Sequence, residues 1–204
     1  SVVRPGDDVL VPEPSYVSYA PGVMLSYGTP VPIVTGVENK FKITAEALEK
    51  AITPKTRAII MPYPNNPTGA IMTKDELAEL VPVFERHPEI IIISDEIYAE
   101  LTYADERHVS LAQIPSLHDR VIVISGFSKA FAMTGWRLGY ACGHPDIIGA
   151  MVKIHQYTML CAPIMSQKAA NEAILQGLKD NFNSVETMKR AYNRRRRLIV
   201  KKFN

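Results

Sequence analysis

Only two cysteines occur in 204 residues, Cys142 and Cys161. That is too few for a disulfide-built scaffold, and both sit among apolar sequence neighbours, so apolar surroundings are expected for them. No apolar run approaches the roughly 20 residues that cross a bilayer as a helix, so no membrane partner is expected. Charge of one sign is equally scarce: 23 lysines and arginines face 21 aspartates and glutamates, a net +2. Such a balance exerts little pull on nucleic acid or on an anionic membrane. The opening residues, Ser1 to Asp8, lack the basic-then-apolar layout of a signal peptide, which makes the cytoplasm the expected compartment. Internal repeats and low-complexity linkers are absent, and the length suits one substantial domain with a real core. His108, His118 and His155 do not fall at metal-ligand spacing.

What the chain does have is a series of short, apolar, mostly β-branched runs: Ala58-Ile59-Ile60-Met61, Ile90-Ile91-Ile92-Ile93 and Val121-Ile122-Val123-Ile124. Runs of this kind mark strands buried on both faces. Val9-Leu10-Val11 and Val31-Pro32-Ile33-Val34 add two more, the second at a sheet edge because of its proline. Helical patterns alternate with them. Tyr16 to Tyr27 has helical character, Thr44 caps a helix to about Ile52, and Thr73 with Glu76 forms a capping box that opens a helix to about His87. Arg137 to Cys142 reads as a last strand, and after Pro145 the pattern is helical to the end, with breaks near Cys161-Ala162-Pro163 and at Gly177. Alternation of strand and helix predicts an α/β fold, a three-layer α/β/α sandwich around a mostly parallel sheet.

Three of the apolar runs end in polar residues with different chemical capabilities. The first leads to Asn66-Pro67-Thr68-Gly69, the second to Asp95-Glu96-Ile97-Tyr98, and the third to Ser125-Gly126-Phe127-Ser128-Lys129 with Arg137 eight positions later. A buried strand that delivers such groups to its C-terminal end is how an open α/β sheet presents a ligand site. Lysine is also the side chain that forms a Schiff base with an aldehyde cofactor.

In this order the three endings resemble the fold-type I, pyridoxal 5'-phosphate-dependent aminotransferases of class I and II, over nearly the whole chain. The resemblance implies the mixed but mostly parallel sheet of their large domain, and transamination between an amino acid and a 2-oxo acid through a Schiff base on Lys129. Asp95 would face the pyridine nitrogen and keep it protonated, with Glu96 the less suitable carboxylate on the same spacing. Tyr98 and Asn66 would hydrogen-bond the phenolic oxygen, Arg137 and Ser128 would hold the phosphate, and Tyr16 would stack on the ring. Burial of Lys129 beside Arg137 would suit the amine to carrying protons. Gly126 departs from the family's frequent hydroxyl residue three positions before the lysine, which removes one phosphate contact.

By the same resemblance, residues 1–204 are expected to be a large domain incomplete at both ends, without the small domain, and the whole protein a homodimer. The last helix reaches Asn204 with no stop signal. The alternative readings are a fold-type I carbon–sulfur lyase, which shares the cofactor groups, and a non-catalytic aminotransferase-like regulatory module. Between Lys153 and Lys168 there is no arginine to mark an aspartate-specific site. Arg194 to Arg197 reads as a helix face toward solvent or another domain, with no nucleic-acid partner.

Overall fold

Isoleucine and valine fill the centre of a six-stranded sheet. In the computed structural model, which describes residues 1–104 and 106–203, the strands are β1 (Asp8–Glu13), β2 (Thr29–Val34), β3 (Thr56–Met61), β4 (Ile91–Asp95), β5 (Val121–Gly126) and β6 (Gly139–Cys142). Their order across the sheet is β2-β1-β3-β4-β5-β6. All neighbours run parallel except β5 and β6. The strand with Pro30 and Pro32 lies at an edge, as expected, where missing N–H donors are best tolerated.

Successive side chains of a strand point to opposite faces, so each central strand supplies two cores. Leu10, Ile59, Met61 and Ile92 pack with Leu48 of α2 (Ala45–Ala51) and with Leu77, Leu80 and Phe84 of α3 (Lys74–Arg86). Val9, Val11, Ala58 and Ile60 pack on the other side with Val23 of α1 (Tyr19–Leu25). The result is the expected α/β layering. Helices α4 (Pro145–Thr158), α5 (Ile164–Asp180) and α6 (Asn183–Phe203) follow β6.

The ends of α3 show why it starts and stops where it does. Thr73 Oγ1 accepts from Glu76 N at 3.3 Å while Glu76 Oε2 accepts from Thr73 N at 2.8 Å, the capping box read from the sequence. At the other end His87 N donates to Phe84 O at 3.1 Å, and Arg120 adds donors to the carbonyls of Phe84 (2.6 Å), His87 (2.9 Å) and Ile90 (3.1 Å) where the chain leaves the helix.

Four local expectations are corrected. The helix expected over Tyr16–Tyr27 is confined to Tyr19–Leu25, with Tyr27 already in the left-handed region at φ 62°. The last strand starts at Gly139 rather than Arg137, whose own φ of 52° is incompatible with extended backbone. Gly177 does not break its helix, which runs on to Asp180. A Cβ at Gly177 would strike the ring of Phe182, whose N–H donates to Gly177 O at 2.7 Å as the chain turns at Asn181. Cys142 and Cys161 are both free and exposed rather than set in apolar surroundings, because β6 is the outer edge of the sheet and Cys161 lies between α4 and α5. The final helix is described to Phe203, and Asn204 lies outside the described residues. Among the described residues no helix is long and apolar enough to cross a membrane.

Phe84 is completely buried between α3 and the sheet. Phe84→Ala is expected to cost about 3–5 kcal/mol, and Thr73→Ala, which deletes only the cap, about 1 kcal/mol. Denaturant midpoints of the two variants check that order.

Candidate active site

Strands β1, β3, β4 and β5 run the same way, so all four release the chain at one edge of the sheet. From β1 the chain continues to β2 on one side, then crosses back to β3 on the other. That reversal is the switch point at which open α/β sheets form a crevice. A cleft of about 310 Å³ lies there. All seven side chains singled out from the sequence border it: Tyr16 after β1, Asn66 after β3, Asp95 and Tyr98 at the end of β4, and Ser128, Lys129 and Arg137 after β5. A wider hollow of about 750 Å³ opens on the far side of Lys129, toward Tyr103, Tyr192 and Arg196.

Asp95 is held from two directions. Its Oδ2 accepts from the Tyr19 hydroxyl at 2.7 Å and its Oδ1 from Ile97 N at 3.1 Å. Burial, followed by the charge and hydrogen bond of Asp95, pushes the Tyr19 phenol far above its ordinary range. Tyr19 is therefore a fixed donor to Asp95. The Tyr16 ring meets Tyr19 edge-on, 5.7 Å between centroids, and is itself 47% exposed on the cleft side of α1. Tyr19 did not emerge from the sequence reading, nor did Thr134, which also borders the cleft. No local signal marks Tyr19, because its partner Asp95 lies 76 positions further along the chain.

Lys129 follows β5 and is half-buried, with Nζ 5.3 Å from the centre of the Tyr98 ring, within cation–π range. The expected burial of the Lys129–Arg137 pair is not what the structure shows, since Arg137 is exposed at the cleft rim. Its Nη1 donates to Thr134 O at 2.8 Å, and its backbone sits at φ 52°, a conformation that costs energy in a non-glycine residue. Gly126 has a steric reason for being glycine: a Cβ there would lie 2.8 Å from both Gly139 Cα and Leu138 O, where β5 meets β6. Asn66 is exposed on the rim, whereas its neighbour Asn65 is buried and donates to Pro14 O at 3.3 Å, tying the end of β3 to that of β1. Gly69, at φ 72°, closes this turn by donating to Asn65 O at 2.9 Å.

The cleft thus brings together an amine, a guanidinium, a carboxylate, two phenols and an aromatic face. An amine can bond a carbonyl carbon, a guanidinium can fork onto a phosphate, and a carboxylate can hold a cationic ring nitrogen. That donor set fits a phosphorylated heterocyclic aldehyde. Among the described residues no cluster of His, Cys, Asp and Glu is arranged to hold a metal ion.

Fold and cleft together define an α/β domain with a lysine-centred site at the C-terminal edge of its sheet. The chain belongs to the aminotransferase class I and II family, whose model matches residues 1–204. It is 49% identical over 204 residues to a putative aminotransferase, YugH, of Bacillus subtilis, covering all of this chain and 51% of that protein. To aromatic-amino-acid aminotransferase 2 of Thermococcus litoralis it is 41% identical over 202 residues, 99% of this chain and 51% of the other. Among solved structures, an aromatic aminotransferase from Pyrococcus horikoshii superimposes with a TM-score of 0.94 at 42% identity, over 99% of this chain and 53% of that one. The aspartate aminotransferase of Thermus thermophilus with maleate gives 0.92 at 36% identity, over 98% and 51%. The chain spans about half the length of the curated relatives it matches.

Because Tyr19 holds its proton against the Asp95 carboxylate, it should stay out of an ordinary phenol titration. Ultraviolet difference titration of Tyr19→Phe is expected to show as many phenols ionising near pH 10 as in the parent, the usual range for tyrosine being about 10. Loss of one ionising phenol in the variant would mean that the hydrogen bond to Asp95 is not formed.

Proposed function

We propose that the protein transfers an amino group between an amino acid and a 2-oxo acid, with pyridoxal 5'-phosphate held at Lys129. The observation that carries this reading is the convergence of Lys129, Asp95 and Arg137 on one cleft at the sheet's switch point. When bound, the cofactor supplies an electron sink for the carbanion left when a substrate Cα loses its proton.

The chain's own residues divide the remaining work. Lys129 would hold the aldehyde carbon, and its amine would serve as the base that moves the substrate Cα proton. Asp95 would face the ring nitrogen and keep it protonated, because a carboxylate within hydrogen-bond distance raises the pKa of the cation. Tyr19 orients that carboxylate from one side and Ile97 N from the other. Tyr98 and Asn66 would donate to the phenolic oxygen, and Tyr16 would lie against the ring. Ser128 and Arg137 would take the phosphate, for which a planar fork is better suited than an ammonium.

We read residues 1–204 as the cofactor-binding large domain, with the group that grips the substrate α-carboxylate supplied from elsewhere in the complete gene product. The half-length match to the curated relatives supports this. Homodimer formation is supported by the apolar side chains left uncovered on and between α4 and α5, where Tyr157 is 88%, Leu160 77% and Met165 71% exposed. The 204-residue chain by itself is expected to fold, to self-associate through these surfaces and to turn over no amino acid, as amino-acceptor assays and light scattering would show.

In the complete gene product, borohydride reduction followed by peptide mapping is expected to place the pyridoxyl group on Lys129, and Lys129→Ala to lose the bound cofactor's visible absorbance. A pyridoxyl group on any other lysine would overturn the assignment. Asp95→Ala should keep much of the cofactor through the phosphate contacts but lose turnover on the order of 10³-fold, the scale of a preorganised electrostatic contact to developing charge. Near-parental kcat in that variant would remove Asp95 from its role.

A further inference from the structure

One buried carboxylate takes no part in the chemistry proposed above. The pleat of β4 turns Asp95 toward the cleft and sends Ser94 and Glu96 to the opposite face. Glu96 is 6% exposed there, a placement an ionised group tolerates only with partners. It has three. Its Oε1 accepts from Ser94 Oγ at 2.8 Å and from Ser110 Oγ at 2.6 Å, and its Oε2 lies 2.9 Å from His108 Nε2. Burial on its own would raise the Glu96 pKa, but the hydrogen bonds from His108, Ser110 and Ser94 outweigh it and hold the carboxyl below its ordinary range. The carboxylate is thus charged at neutral pH and acts as an acceptor only, which makes His108 Nε2 the donor.

The backbone of Glu96 is as heavily used as its side chain. Glu96 N donates to Ile124 O at 2.8 Å, joining the ends of β4 and β5. Glu96 O accepts from Ala99 N at 2.9 Å and from Ser125 Oγ at 3.4 Å. The segment from Asp95 to Tyr98 therefore hangs on Glu96, one residue from the first and two from the second. His108 and Ser110 lie 12 and 14 residues further on, so the carboxylate also pins the return of the connection that leaves the site.

We propose that Glu96, His108 and Ser110 form a clamp on the far face of the sheet that positions Asp95 and Tyr98 in the cleft. None of the three borders the cleft, so they are positioning residues, and the catalytic part of the claim rests on the function proposed above. A carboxylate at the end of a strand has two ways to turn, and anchoring its neighbour on the opposite face fixes which one enters the site. Without the clamp, Asp95 keeps Tyr19 but loses the fixed backbone from which it is presented.

The test uses the complete gene product with His108→Ala, His108→Gln and Ser110→Ala. Glutamine places an amide N–H near the position of Nε2 and so restores a donor. In the cofactor-free protein, His108→Ala is expected to speed amide exchange at Glu96, Ile97 and Ala99 about tenfold or more relative to the amides of α3. In the loaded protein it should shift the pH midpoint of the cofactor's visible absorbance and lower kcat about tenfold with KM within about twofold. His108→Gln should recover most of both effects, and Ser110→Ala should show them in smaller measure. Should His108→Ala fail to fold, Ser110→Ala and His108→Gln decide the matter by the same readouts. The clamp is overturned if exchange at those three amides speeds no more than in α3 while the midpoint and kcat stay at parental values, the pattern of a merely structural contact. If the parental protein takes up no cofactor, the function proposed above fails, and the exchange measurement still decides the clamp.

Discussion

Parallel strands that share a sheet must all end at the same edge, and the rest of this structure follows from that constraint. The centres of β1, β3 and β4 are packed on both faces, which leaves little room for charge there, and Arg57 near the start of β3 is exposed. Polar residues are relegated to the strand ends, and parallel direction gathers those ends in one place. Residues as far apart in sequence as Tyr16 and Arg137 thereby border a single cleft. The hydrogen bond between Tyr19 and Asp95 joins positions 76 residues apart and closes the cleft on the side of α1.

The pleat then sorts chemistry at the end of β4. Asp95 and Glu96 are adjacent carboxylates, and two such charges in one pocket would repel strongly. Period-2 alternation separates them by the thickness of the sheet. Each is compensated locally, Asp95 by a phenol and a backbone amide and Glu96 by an imidazole and two hydroxyls. The charge facing the cleft keeps one direction free for a ligand, whereas the charge on the far face is closed in.

How much of this was legible in the chain depended on whether the controlling contact was local. The four consecutive isoleucines from Ile90, the proline-marked edge strand and the Thr73–Glu76 capping box are short-range signals, and the structure realises each of them. The seven cleft residues were readable because they lie at or after strand ends, at spacings shared with a known family. Tyr19 was not, because it lies on α1 and its role comes from a distant partner at the end of β4. Gly177 misled for the same reason: as punctuation it suggests a helix end, yet its lack of a side chain serves the Phe182 ring five residues later. Arg137 was read as the start of a strand, but its left-handed backbone turns it to the cleft rim before β6 begins. The exposure of the two cysteines depends on which edges are left open, which no local pattern encodes.

The most direct test is a crystal structure of the complete gene product grown with pyridoxal 5'-phosphate. Density continuous from Lys129 Nζ to the cofactor is expected, with the ring nitrogen in hydrogen-bond contact with Asp95, Tyr19 still bonded to the opposite carboxylate oxygen, and the phosphate on Arg137. Cofactor density joined to another lysine, or a ring nitrogen turned away from Asp95, would contradict the assembly of the site from these strand ends.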